Sequence, residues 1–332
     1  NDGDYGRPTK GAALTLKAWC ELYEASPLRN PSNDISRWKL AAKTNKEDID
    51  LGVYDLLDAF GDLFMAENNN SIESIFARQH GPKKGTSIDF KQGPTMNGVG
   101  AQVCWGNSQP TQELVDEFSM ASGKTITEDP AYDPQNPYVG REKRFYQSIL
   151  YNGATWRDYI IETRVGGTNE IDLGYEGDKS HTGYFAHKRL NERTNPSSSQ
   201  NGENYQNYMY FRYAEVLLNY AEATYELNNS ITDEDLDLSL NLVRRRVNKE
   251  MPKLSNSFAT THGLSIREEI RRERAVELFL EGFRIDDLKR WATASIEMPQ
   301  NQLGVKVTGT WFEVNWAAQS RQLDNNGCII LY

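Results

Sequence analysis

The sequence predicts a mostly α-helical protein in which helical hairpins support a large loop-rich region with short strands. Three observations predict it. Apolar residues recur at intervals of three and four in the first and last thirds of the chain. A middle stretch dominated by Gly, Pro, Asn and aromatic residues interrupts them. Small residues, Gly11, Ala12, Ala13 and Ala18, line the first helical segment, so that a neighbouring helix can approach closely. At 332 residues the chain has the length of about two ordinary domains, or of one large one with elaborate loops. We read it as one domain, residues 1–332, in which 1–80 and 208–295 form a helical framework and 81–207 and 296–332 a loop-rich, ligand-facing region.

Taken in order, Pro8 to Ser26 carries Ala12, Leu16, Trp19, Cys20 and Tyr23 on one stripe of a helix that Pro27 ends. A second helix is expected over about Lys46 to Ala66, with Ile49, Val53, Leu56, Leu57, Phe60 and Phe64 on one side. From about Gly81 to Asn207 only short alternating pieces stand out, Phe145 to Leu150 and Tyr159 to Val165, and Thr111 is placed to cap a short helix beginning Gln112-Glu113-Leu114-Val115. Helical periodicity returns over Tyr208 to Leu227 and over Asp233 to Val247. A long third helix is expected from Ser265, whose spacing to Glu268 is that of a capping box, to about Ala294, and a short strand near Gly304 to Val307.

Composition removes several classes. With 37 basic and 47 acidic residues the net charge is -10, and no basic block exceeds Arg244-Arg245-Arg246, which argues against a nucleic-acid partner. Mean hydropathy is low, -0.70, yet 12 Phe, 7 Trp and 17 Tyr are incompatible with a disordered chain. No stretch approaches the roughly 20 apolar residues that span a bilayer, and Asn1-Asp2-Gly3-Asp4-Tyr5 carries no apolar signal core, so any export signal is expected to lie outside these residues. Cys20, Cys104 and Cys328 are far apart and form neither a bridge framework nor a zinc knuckle. His80, His181, His187 and His262 make no metal-ligand spacing, the short acidic runs make no calcium loop, and no nucleophile-elbow, dinucleotide or P-loop motif occurs. No metal and no cofactor are expected.

Two groups of residues carry what chemistry remains. Glu269, Glu273, Glu277 and Glu281 recur every fourth residue of the Ser265 helix. Two of them, held roughly 5 to 9.5 Å apart, would make a glycoside hydrolase. Their regular spacing among arginines fits a partly buried ion-pair network better, in which Glu273, Arg274, Glu277, Glu281, Arg284 and Asp287 meet Arg212, Glu215 and Glu222 and hold the fold. Removal of Arg284 is then expected to lower stability clearly. The second group is aromatic: Trp105, Tyr132, Tyr138, Tyr151, Trp156, Tyr159, Tyr175, Tyr184, Trp311 and Trp316. A ring beside Asn, Asp or Arg suits a sugar, whose apolar face stacks on it while the hydroxyls take paired hydrogen bonds. Trp105, Tyr132, Tyr138 and Trp156, on a face built by residues about 98–160, are the candidate sugar platforms, against core packing as the alternative for each.

Four segments together resemble the SusD/RagB family of cell-surface nutrient-binding lipoproteins. The stretch from Glu273-Arg274 through Glu277-Leu278, Glu281-Gly282, Arg284, Asp287-Leu288 and Arg290-Trp291 is similar to the family pattern ER-x-x-EL-x-x-EG-x-R-x-x-DL-x-RW. Phe211 to Ala223, Gly6-Arg7-Pro8-Thr9-Lys10-Gly11-Ala12-Ala13 with Ala25-Ser26-Pro27-Leu28, and Pro110 to Asp116 resemble three further family segments. The resemblance implies tetratricopeptide-like hairpins, and non-catalytic binding of an oligosaccharide or polysaccharide at the outer membrane of Bacteroidetes. It also implies delivery of that glycan to a SusC-like TonB-dependent transporter. Membrane attachment would then be through a lipid anchor on a cysteine that these residues do not include, and the family's first helical stretch and C-terminal tail would likewise lie outside them. A helical-repeat adaptor for a peptide or protein is the second reading, and a glycoside hydrolase the third.

Overall fold

The computed structural model describes residues 6–95, 104–171, 179–195, 200–298, 300–313 and 321–331. The chain is mainly helical and divides into two compact units. The first comprises Asn1–Leu63, Asn68–Gln79 and Asn207–Gln300; the second comprises Phe64–Glu67, His80–Gln206 and Asn301–Tyr332.

The first unit begins with a helical hairpin. The Thr9 hydroxyl accepts from the Ala12 N–H at 3.2 Å and starts the Lys10–Ala25 helix, which stops where extended Ser26 turns its N–H back to Leu22. Its buried face is Gly11, Ala12, Thr15, Ala18, Leu22 and Ala25, mostly small, and against it packs the Ile35–Ile49 helix, capped by the Asp34 carboxylate. Thr15 donates to Asp48 at 2.6 Å across this contact. The second helix is therefore earlier than its periodicity suggested. It ends at Ile49, where the Leu51 and Gly52 N–H groups return to Asp48 and Ile49 and Gly52 takes φ +62. Of the expected stretch to Ala66 only a 3-10 turn, Phe60–Asp62, and a second one at Ala66–Asn68 remain helical, and Val53 is exposed.

Tyr208, expected to open a helix, opens a strand instead. The strands Ser74–Arg78 and Tyr208–Arg212 pair antiparallel, Phe76 opposite Phe211, because Tyr-Met-Tyr-Phe is a β-forming run that the ribbon can half-bury. The Tyr213–Asn228 helix follows directly and ends on Asn229 in the left-handed region. Ala214, Val216, Leu217, Leu218 and Ala221 place it in the middle of the core, among Leu236, Leu240, Val243 and Ile270.

The two remaining expected helices are both broken. Asp233–Leu238 and Leu240–Arg245 are separated by Ser239, whose hydroxyl bonds the Asp235 carbonyl at 2.5 Å, competing with the helix ladder. The Ser265 hydroxyl does accept from the Glu268 N–H, starting Ile266–Glu277, but that helix stops there. Leu280 and Gly282 have φ of +61 and +91, and the chain resumes as Arg284–Arg290 and Ala294–Glu297.

The second unit holds short helices, Ile88–Gln92, Gln112–Glu117 and Lys143–Ser148, and two-stranded ribbons: Ile149–Leu150 with Phe185–Ala186, Thr155–Trp156 with Tyr159–Ile160, and Leu303–Lys306 with Cys328–Ile330. Phe145 to Leu150 is thus a helix entering a strand rather than a strand throughout, and Tyr159 to Val165 keeps only its first two residues as strand. Thr111 sits at the N-cap of its helix without a side-chain cap bond.

Gly282 has no atom within 4 Å of where a Cβ would stand, so steric clash does not enter. Gly282→Ala is expected to lower stability by about 1–2 kcal/mol in urea unfolding, through backbone conformation alone. An unchanged midpoint would mean that the turn does not demand this conformation.

Candidate functional site

The acid-rich helix is not a ladder but one wall of two buried ion-pair knots, both in the first unit. Arg212, at the end of its strand, is 1% exposed and uses every donor. Nε reaches Glu281 at 2.6 Å, Nη1 reaches Glu73 at 2.8 Å and Glu277 at 2.7 Å, and Nη2 reaches the Glu277 carbonyl and Glu281. Arg246 closes the knot from another helix end, donating to Glu73 at 2.7 Å and to Glu277. Burial alone would lower the Arg212 pKa, but the charges of Glu281 and Glu277 carry it well above its ordinary value.

In the second knot Asp287 accepts from Arg274 Nε at 2.7 Å and Arg290 Nε at 2.8 Å. Arg290 forks onto both oxygens of Glu222, the Nη2 bond measuring 2.6 Å, and Trp291 Nε1 donates to the same carboxylate at 2.7 Å. Burial works to raise the Glu222 carboxyl, yet Arg290, by charge and hydrogen bonds, with Arg274 and Trp291, holds it at about 2. Glu273 lies with Glu269 near Arg244, at 3.7 and 3.3 Å.

Arg284 departs from the expectation. Beyond the Gly282 turn it opens a separate helix on the surface, its side chain 45% exposed and 3.2 Å from the equally exposed Glu297. Glu215, expected among the pairs, is buried without making one of them. Glu73 and Arg246 were not anticipated; they lie 173 residues apart, and no local pattern marks either.

The aromatic candidates separate by burial. Trp156 is 2% exposed: it is the inward residue of a hairpin strand, packed with Leu150, Ala154, Ile161, Phe185 and Leu190, and its ring meets His187 edge-on at 5.3 Å. Tyr138 is buried too, 4.2 Å from Tyr151 and 6.1 Å from Phe145 between ring centroids, with its hydroxyl toward that of Tyr184 at 3.5 Å. Burial pushes both phenols far up. Neither Trp156 nor Tyr138 presents an exposed ring face to a sugar; each fills core. Tyr132 is partly buried in a turn, its phenol raised by burial and then by Asp116. Tyr151 and Tyr159 are partly buried, Trp311 opens the 3-10 turn Trp311–Glu313, and Tyr175 and Trp316 lie outside the described residues.

Trp105 is the exposed one, at 47%. Its loop is pinned rather than loose. The Trp105, Gly106 and Asn107 N–H groups bond Phe90, Gly93 and Lys91 carbonyls at 3.0 Å each, and Cys104 exchanges bonds with the Thr95 hydroxyl. Gln109 ties the Gly106 and Lys179 carbonyls together at 2.9 Å. Gly106 has φ +55 and lies so close to Phe185 that a Cβ would fall 2.7 Å from its ring. The Phe90 ring lies tilted against the indole, 5.3 Å between centroids, and Lys91 and Asn107, joined by one of the backbone bonds that pin the loop, are exposed. Among the described residues no group of three or more His, Cys, Asp or Glu side chains could hold a metal, and no helix is long and apolar enough to cross a membrane.

The sequence model of the SusD family matches residues 72–326. The chain belongs to the SusD family. A SusD-like protein of Bacteroides ovatus is 23% identical over 292 residues, which are 87% of this chain and 47% of that protein. The crystal structure of a SusD-like carbohydrate binding protein from Bacteroides fragilis superposes with a TM-score of 0.81 at 26% identity, covering 99% of this chain and 61% of that one. A structure solved with xylogluco-oligosaccharide shares the fold, with a TM-score of 0.60, 21% identity and coverage of 87% and 52%. This SusD-family chain therefore spans about half the length of the curated relative and about three fifths of the first solved structure.

Two substitution pairs test these placements by urea unfolding. Arg212→Leu removes the cation that Glu73, Glu277 and Glu281 share, leaving Arg246 against Glu73 and Glu277, and is expected to cost at least about 3 kcal/mol, whereas Arg284→Ala should cost about 0–1. Similar losses for the two would contradict the division into buried and surface charge. Trp156→Ala is expected to cost about 3–5 kcal/mol and Trp105→Ala less than about 0.5, and a reversal of that order would exchange their roles.

Proposed function

We propose that this chain is that of a non-catalytic carbohydrate-binding protein, which takes oligosaccharide or polysaccharide at the outer cell surface and passes it to a SusC-like TonB-dependent transporter. The observation that carries the reading is Trp105, in a chain of the SusD family. An indole nearly half exposed on a loop fixed by backbone hydrogen bonds offers a flat apolar face already in place, with Lys91 and Asn107 exposed on the same hydrogen-bonded segment for hydroxyls. Tyr132 is the second contact candidate, and the ligand-facing region is residues 81–207 with 296–332. The lipid anchor and the transporter belong to the same reading and rest on family membership.

A hydrolytic role for the Glu-rich helix has little to draw on. A general acid needs a carboxyl that faces substrate, whereas Glu277 and Glu281 face Arg212, and Glu269 and Glu273 face Arg244, all but the partly buried Glu281 being fully buried.

Calorimetric titration against a panel of plant and microbial polysaccharides and their oligosaccharides tests the proposal. At least one is expected to bind, and Trp105→Ala is expected to weaken it on the order of tenfold with Tm unchanged. Binding by none of the panel, or release of reducing ends at enzymatic rates, would overturn it.

A further inference from the structure

Glu215 stands apart from every other acid in the first unit's interior. It is 1% exposed, in the first turn of the Tyr213–Asn228 helix, and among the described residues neither of its carboxyl oxygens makes a hydrogen bond of full geometry, the Asn219 amide one turn on being its polar neighbour. Its neighbours are already spoken for. Arg212 is filled by Glu73, Glu277 and Glu281, and Arg274 gives Nε to Asp287 and Nη1 to Asn219 at 2.5 Å, keeping only Nη2 unpartnered. The other elements packed on this helix commit their charges elsewhere. Arg244 of Leu240–Arg245 faces Glu269 and Glu273, Asp235 accepts from Tyr220, and Asp48 of Ile35–Ile49 accepts from Thr15. Tyr23 of Lys10–Ala25 lies among Arg274, Asp287 and Arg290.

Charge in the two knots is already tilted to the negative side, with Glu73, Glu277, Glu281, Glu222 and Asp287 against Arg212, Arg246, Arg274 and Arg290. A further anion between them would add to that excess at a position that burial shields from bulk solvent. We propose that the folded protein carries Glu215 as the neutral acid, and that ionisation of this carboxyl makes the helical unit progressively less stable as pH rises, a pH-graded device built into the junction of the two knots.

Burial, opposed by the charges of Arg274 and Arg212 and by the Asn219 amide and reinforced by the charge of Glu281, pushes the Glu215 carboxyl to about 7 from its ordinary 4.5. A folded-state pKa above the unfolded one means that folding takes up a proton. The contribution is therefore complete below pH 4.5, declines between 4.5 and about 7, and is flat above.

Thermal unfolding of the 332-residue chain and of Glu215→Gln, from pH 4 to 8.5, reads this directly, since Asp48 and Asp116, both raised to about 6, titrate alike in the two proteins and cancel. The difference in Tm is expected to be near zero below pH 4.5 and to grow to roughly 5–10 °C in favour of Glu215→Gln above pH 7. A difference that does not vary with pH, or a less stable Glu215→Gln above pH 7 because the ionised carboxylate pairs with Arg274 Nη2, would overturn the proposal. Should the variant not fold, carbon NMR of glutamate-labelled native chain decides instead: one carboxyl with a midpoint near 7 supports it, and all midpoints at or below 4.5 contradict it.

Discussion

The first unit depends on one requirement, that the guanidinium groups of Arg212, Arg246, Arg274 and Arg290, all buried, meet carboxylates in near-complete hydrogen-bond geometry. Removing an ion from water costs several kcal/mol even after relaxation, so these pairs are not a generous source of stability. What they impose is specificity. Each knot is satisfied only when segments remote in sequence arrive together: the Glu73 strand, the end of the Arg212 strand, the Arg246 helix end and the Glu277–Glu281 turn for one, and Ser26, Glu222, Arg274 and the Asp287–Arg290 helix for the other. Any misregister leaves a charge alone in apolar surroundings.

That requirement also explains why the signature stretch is broken rather than continuous. An unbroken helix through residue 294 would carry Glu281 one turn past Glu277 and keep both along one side. The left-handed Leu280 and Gly282 fold the chain back, so that Glu277 and Glu281 grip Arg212 together, and they set Arg290 and Trp291 on Glu222. The second unit is held differently, by short ribbons, stacked rings and backbone bonds across loops. There a Trp can stay on the surface at no cost to folding, since the Trp105 loop is fixed by its peptide groups rather than by its ring.

The sequence disclosed what is local. The first helix, its Pro stop and the Ser265 cap were legible because each is set by residues within one or two turns, but the stripe was not: the face that packs is the small-residue one of Gly11, Thr15, Ala18 and Leu22, and Leu16 and Cys20, expected inside, are exposed. The left-handed Leu280 was not, because nothing about a leucine signals positive φ; tertiary demand puts it there. The strand at Tyr208 was read as helix because its aromatics suit either period, and only pairing with Ser74–Arg78 decides between them. Among the aromatics, Trp105 and Trp156 have equally polar neighbours in sequence. Trp156 is buried by Phe185 and Leu190, some thirty residues on, and Trp105 is not, a difference that no window around either residue contains.

The central claim is that the buried guanidinium–carboxylate contacts act as coupled units, and the bidentate Arg290–Glu222 pair isolates one of them. A double-mutant cycle of Arg290→Met and Glu222→Gln, read by urea unfolding at pH 7, measures it most directly. The account expects each single change to cost at least about 3 kcal/mol and the pair to cost clearly less than their sum, with a coupling of about 1.5–3 kcal/mol. Additive losses, with coupling below about 0.5 kcal/mol, would show that the two side chains stabilise the fold independently and would contradict the account.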